Sequence, residues 1–415
     1  MGARLQSPPV HATLWRNVIV MSCTIFCTLT GIFCWFRVLP VHLREALGAD
    51  ESQVSYVFFA MAFANRLPQL YGGRLADRIG RKGIIVVVTV LMGLCYAWIG
   101  HASSWRMAGL AIVCCWVVGG LQWPSILALI TESVPEHARG RALGWFEMAA
   151  MAGMTAGPFV GELIERAIPD PDSAWRTLLL LCAGLYLVSA LARGLFLHET
   201  HVAKAAAPHA PIEWRAIALP AAIGILATAV YFLTTDGPIA SLYLKDEIGR
   251  SRPEIDRLFF YGGLVALASA PIAGWACDRF GPTRLLRLSF AATAGILAPF
   301  ALPLAGRPVS AELAPWLFAA LFAPAELFVI AFQRLITSQT SAEGRGANVG
   351  VYGVLIGIFT PWTYLAAGWL YKSTGHWAPI AAAAALAAVT ALLALRLERP
   401  TAERPSTPPP PTTSP

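Results

Sequence analysis

Charge is the scarcest ingredient of this chain: Asp, Glu, Lys and Arg make up 13% of its 415 residues, about half the share usual in soluble domains. A sequence so poor in charge, 56% hydrophobic and of positive mean hydropathy, cannot cover a water-facing surface, which excludes a soluble globular class. Missing too are the pieces that chemistry on a bound nucleotide or peptide would need. There is no phosphate loop, no Ser/His/Asp constellation and no His/Cys spacing of a metal site, and most of the 8 histidines sit in loops or termini. These gaps exclude ATP as a direct energy source and disfavour an enzyme, and no cofactor is called for. The 8 cysteines (23, 27, 34, 95, 114, 115, 182, 277) all fall in apolar runs or at their ends, so a disulfide framework outside the membrane is absent. Cys23 with Cys27, or Cys114 with Cys115, is read as small apolar packing rather than as a soft-metal site.

Long apolar runs are what the chain has instead. A hydrocarbon core ~30 Å thick takes ~20 mostly apolar residues per spanning helix, with every backbone polar group bonded inside the segment. Twelve runs qualify: 17–39, 53–71, 84–101, 105–131, 142–164, 176–197, 216–236, 256–276, 285–304, 312–337, 347–371 and 377–396. The expected fold is all-α, a polytopic membrane protein with a lipid bilayer as its first partner. Run 17–39 is too long for a signal-peptide core and no small-residue cleavage site follows it, so it is kept as a helix. Lys and Arg concentrate in "GRLADRIGRK" and in other loops of one side, which places that side and both termini in the cytoplasm. The net charge of +7 then reads as topology, not as affinity for nucleic acid. A composition rich in Ala, Arg and Pro fits a GC-rich bacterium, and hence an inner membrane.

The chain repeats itself. "VHLREALG" ends at Gly48 and "GRLADRIG" at Gly80, while "LYLKDEIG" ends at Gly249 and "GWACDRFG" at Gly281. A third pair, around Arg139 and Arg345, has drifted slightly in offset. The expected division is a cytoplasmic N-terminus over 1–16, a six-helix bundle over 17–197, a linker over 198–215, a second bundle over 216–397 and a Pro-rich, disordered tail over 398–415. Parallel halves around a midplane site are a transporter architecture.

Gly73, Asp77, Arg78, Gly80, Arg81 and Lys82 match the G-x-x-x-D-R-x-G-R-[RK] signature between helices 2 and 3 of the major facilitator superfamily. Gly274, Asp278, Arg279 and Gly281 echo it in the second half. The chain thus resembles that superfamily over nearly its whole length. Gly73 lets a neighbouring helix approach. Asp77, one turn on, can hold Arg81 or accept from a helix N-terminus across the interface, a latch between the halves on the inner side. The resemblance implies that an acid at the inner end of helix 4 completes the relay, and Glu132 stands there, whereas its second-half counterpart is Ser338.

Ionisable groups inside spans mark function by default, because hydrocarbon penalises them. Glu326, near the middle of run 312–337, is the candidate coupling carboxylate; a hydrogen-bonded structural acid is the alternative. Arg66 either meets an anionic substrate, snorkels to the surface or pairs with Glu147. Arg37 and Asp236 end repeat-equivalent helices and are expected to form an outer gate pair, while Arg334 is expected to snorkel to the inner surface. Gln122, Trp123, Tyr231, Gln333, Tyr352, Trp362 and Tyr364 are weaker candidates for cavity walls, with lipid-facing belts as the plain alternative.

Gly153, Gly157, Pro158 and Gly161 resemble the G-x-x-x-G-P-x-x-G signature of the superfamily's drug and proton exchangers, in which small residues pack helix 5 against helix 8. The arginine those exporters carry in helix 4 is replaced here by Cys115 and Trp116. The expected function is proton-coupled efflux of a drug-like or metabolite compound by alternating access, by a monomer. Proton-coupled uptake of an organic anion is one alternative, and a non-transporting sensor or scaffold is another.

Overall fold

The computed structural model describes residues 10–200, 214–305, 309–339 and 345–397; within its helices the side chains of 10–14, 67, 70, 73, 74, 77, 215–217, 304–305, 337–339 and 345–350 lie outside the description. Most of the expected linker, the tail, and the side chains of Gly73, Asp77, Ser338 and Arg345 therefore fall outside the described residues.

Among the described residues the chain is helical, without strands. The first half holds α1 (Val10–Phe36), α2 (Leu39–Glu45), α3 (Glu51–Ile79), α4 (Arg81–Gly100), α5 (Trp105–Glu132), α6 (Arg139–Ala167) and α7 (Pro171–Phe196). The second holds α8 (Trp214–Phe232), α9 (Ile239–Asp246), α10 (Arg252–Phe280), α11 (Pro282–Leu297), α12 (Leu313–Ala320), α13 (Phe322–Gln339), α14 (Arg345–Phe359), α15 (Trp362–Ser373) and α16 (Ala378–Ala394). Each apolar run of the sequence lands on one helix or on two in line. Eight segments are long and apolar enough to cross a membrane. α8 and α16 are apolar but shorter, and α3 and α6 are long but carry charges that dilute their apolar character.

The sequence repeat has a conformational cause. Gly48, Gly80, Gly249 and Gly281 have φ of 70°, 89°, 72° and 81°, a left-handed region that a side chain disfavours. They end α2, α3, α9 and α10 alike. The starts of α3 and α10 also correspond: Gln53 accepts from the Asp50 backbone N–H at 3.0 Å, and Glu254 accepts from that of Ser251 at 2.9 Å, satisfying a donor that a helix start leaves open.

The halves meet along two seams, α6 against α10 and α3 against α14 and α15. Within the first half α6 packs on α1, and the glycines of the exchanger-like signature explain how. A Cβ on Gly153 would lie 2.6 Å from the Phe26 carbonyl oxygen, and one on Gly157 2.8 Å from the Phe33 carbonyl carbon. The expectation that these glycines pack helix 5 against helix 8 is corrected: the nearest neighbours of Gly153 and Gly157 are on α1, while Gly161 lies against both Cys34 of α1 and Asp256 of α10. Four in-line pairs are broken, α1/α2 at Arg37, α8/α9 at residues 233–238, α12/α13 at Leu321 and α14/α15 at Thr360–Pro361. Irregular backbone at membrane depth is tolerated where it lines a cavity, and three of these breaks do so.

Candidate functional site

The end where α2 and α9 meet, the outer one on the topology expected from the loop charges, is bridged by charge. Lys245 lies 3.1 Å from Glu45, Arg252 lies 3.3 Å from Glu45, and Arg44 is bonded to Asp246. Arg44 and Lys245 are repeat equivalents, as are Glu45 and Asp246, so each half gives a cation to the other half's acid. Tyr371 donates to Asp246 at 2.7 Å, and Lys372 reaches Asp50 at 3.2 Å. Burial works to raise the Asp246 pKa, but hydrogen bonds from Arg44 and Tyr371 and the Arg44 charge outweigh it and hold the carboxyl below its ordinary value. Arg37 lies 3.8 Å from Asp236, donates to the Thr235 carbonyl at 2.7 Å, and sits 4.4 Å over the Phe259 ring.

A larger and a smaller cavity between the helices share no lining residue among the described residues. One, of about 500 Å³, opens mainly among α1, α3, α5 and α7, with Thr360 and Pro361 from the broken segment across the seam. Gln122, Trp123 and Arg66 line it. Gln122 is buried, accepting from Thr89 at 3.3 Å, and the Arg66 stem runs against Gly357 of α14. The other, of about 320 Å³, lies between α6, α8, α10 and α13 and holds Glu326, Asp236, Arg37 and Tyr231. Tyr231 Oη is 3.4 Å from Thr293 Oγ1. Glu326 has no hydrogen-bond or ion-pair partner among the described residues.

The remaining candidates separate into those the geometry brings together and those it does not. Arg66 and Glu147 form no ion pair; Glu147 is exposed on α6. Gln333, Tyr352 and Trp362 line neither cavity: Gln333 is exposed, Tyr352 packs at a tilt 4.9 Å from Phe332, and Trp362 packs 5.1 Å from Phe59. Tyr364 is buried, stacked 4.6 Å from Phe232, and donates to the Asp236 carbonyl at 3.3 Å.

At the inner end, Arg81 reaches Glu132 at 3.5 Å, and Thr200 donates to the same carboxylate at 3.0 Å. The N-terminus of α4 is capped by Glu199, which accepts from the backbone N–H groups of Arg81 at 2.9 Å and Lys82 at 3.0 Å, where the helix dipole favours an anion. In the second half Asp278 pairs with Arg334 at 3.1 Å, so Arg334 is a paired residue rather than a merely snorkelling one. Arg78 is exposed, and Arg279 lies over the Trp275 ring at 5.7 Å. A Cβ on Gly274 would meet nothing within 4 Å, so the expected close approach is not made in this copy; in the first half Gly72 makes one, against the Leu121 carbonyl of α5.

Functional candidates that the sequence alone did not single out include Glu199, the α2 and α9 charges, Arg193 and Asp256. Arg193, 1% exposed, lines the larger cavity. Asp256 is wholly buried in the α6–α10 seam with neither carboxyl oxygen partnered, next to Glu162, which holds Arg166 at 2.7 Å and Arg257 at 3.3 Å. A charged residue interrupting an apolar run was the available signal for Arg193.

A family model described as Major Facilitator Superfamily matches residues 21–235 and 221–414. The multidrug resistance protein MdtG of Serratia proteamaculans is 28% identical over 305 residues, covering 69% of this chain and 71% of that protein. The quinolone resistance protein NorA of Staphylococcus aureus is 26% identical over 146 residues, 35% of this chain and 37% of that one. Among solved structures, a bacterial homologue of the iron transporter ferroportin superimposes with a TM-score of 0.72 at 14% identity, covering 92% of this chain and 98% of that one. A bacterial homologue of the human lysosomal transporter Spinster does so with a TM-score of 0.69 at 15% identity, covering 94% and 97%.

Proposed function

Because the chain belongs to the Major Facilitator Superfamily, a family of membrane transporters, we propose that it is a proton-coupled exporter of drug-like small molecules working by alternating access. The observation that carries the coupling is Glu326: a carboxyl near the middle of a span, facing a cavity, with no basic partner among the described residues. Such a group is costly when charged and dry, so it binds a proton when occluded and releases it when the cavity is wetted. The drug-resistance names of two relatives support the cargo class.

Twelve spans in two bundles of six rock about the two cavities. In the inward-facing state the α2–α9 ion pairs and Arg37–Asp236 hold the outer side shut. In the opposite state Asp77, beside the Arg81–Glu132 pair of its own half, latches onto the second half at the inner end. Substrate or proton binding tips the balance through its differential affinity for the two states. The termini face the cytoplasm.

Proteoliposomes with an imposed pH gradient test this. A panel of lipophilic dyes is expected to accumulate against its gradient with the native chain, and Glu326→Gln is expected to lose accumulation by more than tenfold while keeping downhill exchange. Gradient-independent behaviour of the native chain would leave the coupling reading without support.

A further inference from the structure

We propose that the larger cavity binds an amphipathic organic anion, an apolar or aromatic body carrying a carboxylate or similar head, with Arg193 and Arg66 as its anchors. The inference rests on the transporter reading and names the class of its substrate.

Arg193 lies near the inner end of α7, where a long basic side chain usually reaches back to the water. Here it cannot do so. Cα–Cβ bonds tilt toward a helix N-terminus, which for α7 is the outer end, and the side chain accordingly points deeper. Its Nε donates to Thr24 Oγ1 at 3.0 Å and its Nη1 to Thr89 Oγ1 at 2.7 Å. Thr89 stands eight residues into α4, roughly 12 Å below that helix's start at 1.5 Å per residue. The guanidinium is thus held at depth by two neutral hydroxyls.

Neutral hydroxyls satisfy hydrogen bonds but leave the charge uncompensated, and an uncompensated buried charge is strongly unfavourable. No Asp or Glu lines this cavity among the described residues, and its second cation, Arg66, has no ion-pair partner among them. A guanidinium presents a planar fork that matches a carboxylate or phosphate. The remaining walls are largely apolar, with Phe33, Phe36, Trp116 and Phe232 among them, and suit a ring or acyl body. At about 500 Å³ the space is of the size that small-molecule sites occupy. The missing negative charge is therefore brought by the ligand.

Purified full-length protein in phosphatidylcholine nanodiscs, titrated calorimetrically with 2-naphthoate, 2-naphthylmethanol and 2-naphthylmethylammonium, compares one ring with three head-group charges. The carboxylate is expected to bind at least tenfold more tightly than the alcohol, and the ammonium more weakly still. Arg193→Gln and Arg66→Gln are each expected to weaken the carboxylate at least tenfold; should Arg193→Gln fail to fold, Arg66→Gln alone decides. No carboxylate binding up to millimolar concentration, equal binding of the three probes, or unchanged affinity in folded Arg66→Gln would overturn the proposal. Adding phosphatidylglycerol distinguishes the source of the anion: competition with naphthoate assigns the site to a lipid headgroup, and its absence to a soluble anion. Naphthoate binding without gradient-driven transport of any probe would remove the transporter reading and leave the anion site. Transport of the ammonium with no carboxylate binding would do the reverse.

Discussion

At the outer end the two halves are tied to each other, while the ion pairs described at the inner end, Arg81–Glu132 and Arg334–Asp278, each stay within one half. The outer contacts are also reciprocal: Arg44 takes Asp246, and Lys245 takes Glu45 at 3.1 Å. A pseudo-twofold relation between repeats makes one cation-acid dipeptide per half sufficient for two cross-bonds, much as a self-complementary patch closes a dimer. The inner copies have diverged in sequence, Glu132 against Ser338. Among the described residues, the ion pairs that join the two halves lie at the α2–α9 end.

Reversing one charge tests the comparison hardest. Arg44→Asp removes the bond to Asp246 and sets three acids together, since Glu51 lies 3.7 Å from Arg44. Charge-assisted hydrogen bonds contribute roughly 1.5–3 kcal/mol each, and every ~1.4 kcal/mol is about tenfold in a population. The closed-to-open ratio of the outer side is expected to fall on the order of a hundredfold, read as labelling of Thr235→Cys by an impermeant thiol reagent in a cysteine-free background. Arg44→Asp with Asp246→Arg together should recover most of the loss. Equal labelling in all three proteins would show that the outer ion pairs do not hold the seam.

Those charges also show what could be read in advance. The apolar runs announced the helices because hydrocarbon demands length and apolarity together, and the four glycine-ended repeats announced the halves because each glycine meets a left-handed φ. Arg37 and Asp236, ends of equivalent helices, were paired from symmetry alone and lie 3.8 Å apart. The α2 and α9 charges sit beside apolar runs and looked like boundary markers, since their pairing exists only once two segments about 200 residues apart in sequence face each other. Arg193 was hidden for another reason: a basic residue one turn from a helix end is ambiguous until the helix direction tells whether it points to water or to the interior. For Asp256 a place just past the first turn of α10 suggests an ordinary acid at a helix start, and only the packing of Gly161 on it reveals a buried carboxyl.

A smaller effect is expected from two glycines near the ends of α3 and α10, which are not repeat equivalents: Gly72 stands where the second half has Ala273. Gly72 faces the Leu121 carbonyl so closely that a Cβ has no room, whereas Gly274 faces open space. Overpacking typically costs about 1–3 kcal/mol. Gly72→Ala should lower the thermal midpoint of the purified protein, and Gly274→Ala should leave it unchanged or raise it slightly, because alanine is the better helix former. A matching loss in both variants would mean that the second-half copy keeps a tight helix contact after all.

The smallest expected effect is a flat response, and its flatness carries information. Asp246 has a pKa below the ordinary carboxylate value in the closed outer face, and once that face opens it returns toward the ordinary value of about 4. A group depressed in one state stabilises that state fully above its ordinary pKa and loses the contribution as pH falls through the depressed one. The Arg44–Asp246 pair should therefore hold equally well from about pH 5 to 8 and weaken only below about pH 4. Hydrogen exchange of residues 239–246, corrected for the intrinsic rate, checks this: protection independent of pH across the neutral range leaves proton sensitivity to the acidic cavity around Glu326. Protection that drops between pH 7 and 5 would instead place the pH-sensing step at the outer seam itself, and the division of labour between seam and cavity would have to be redrawn.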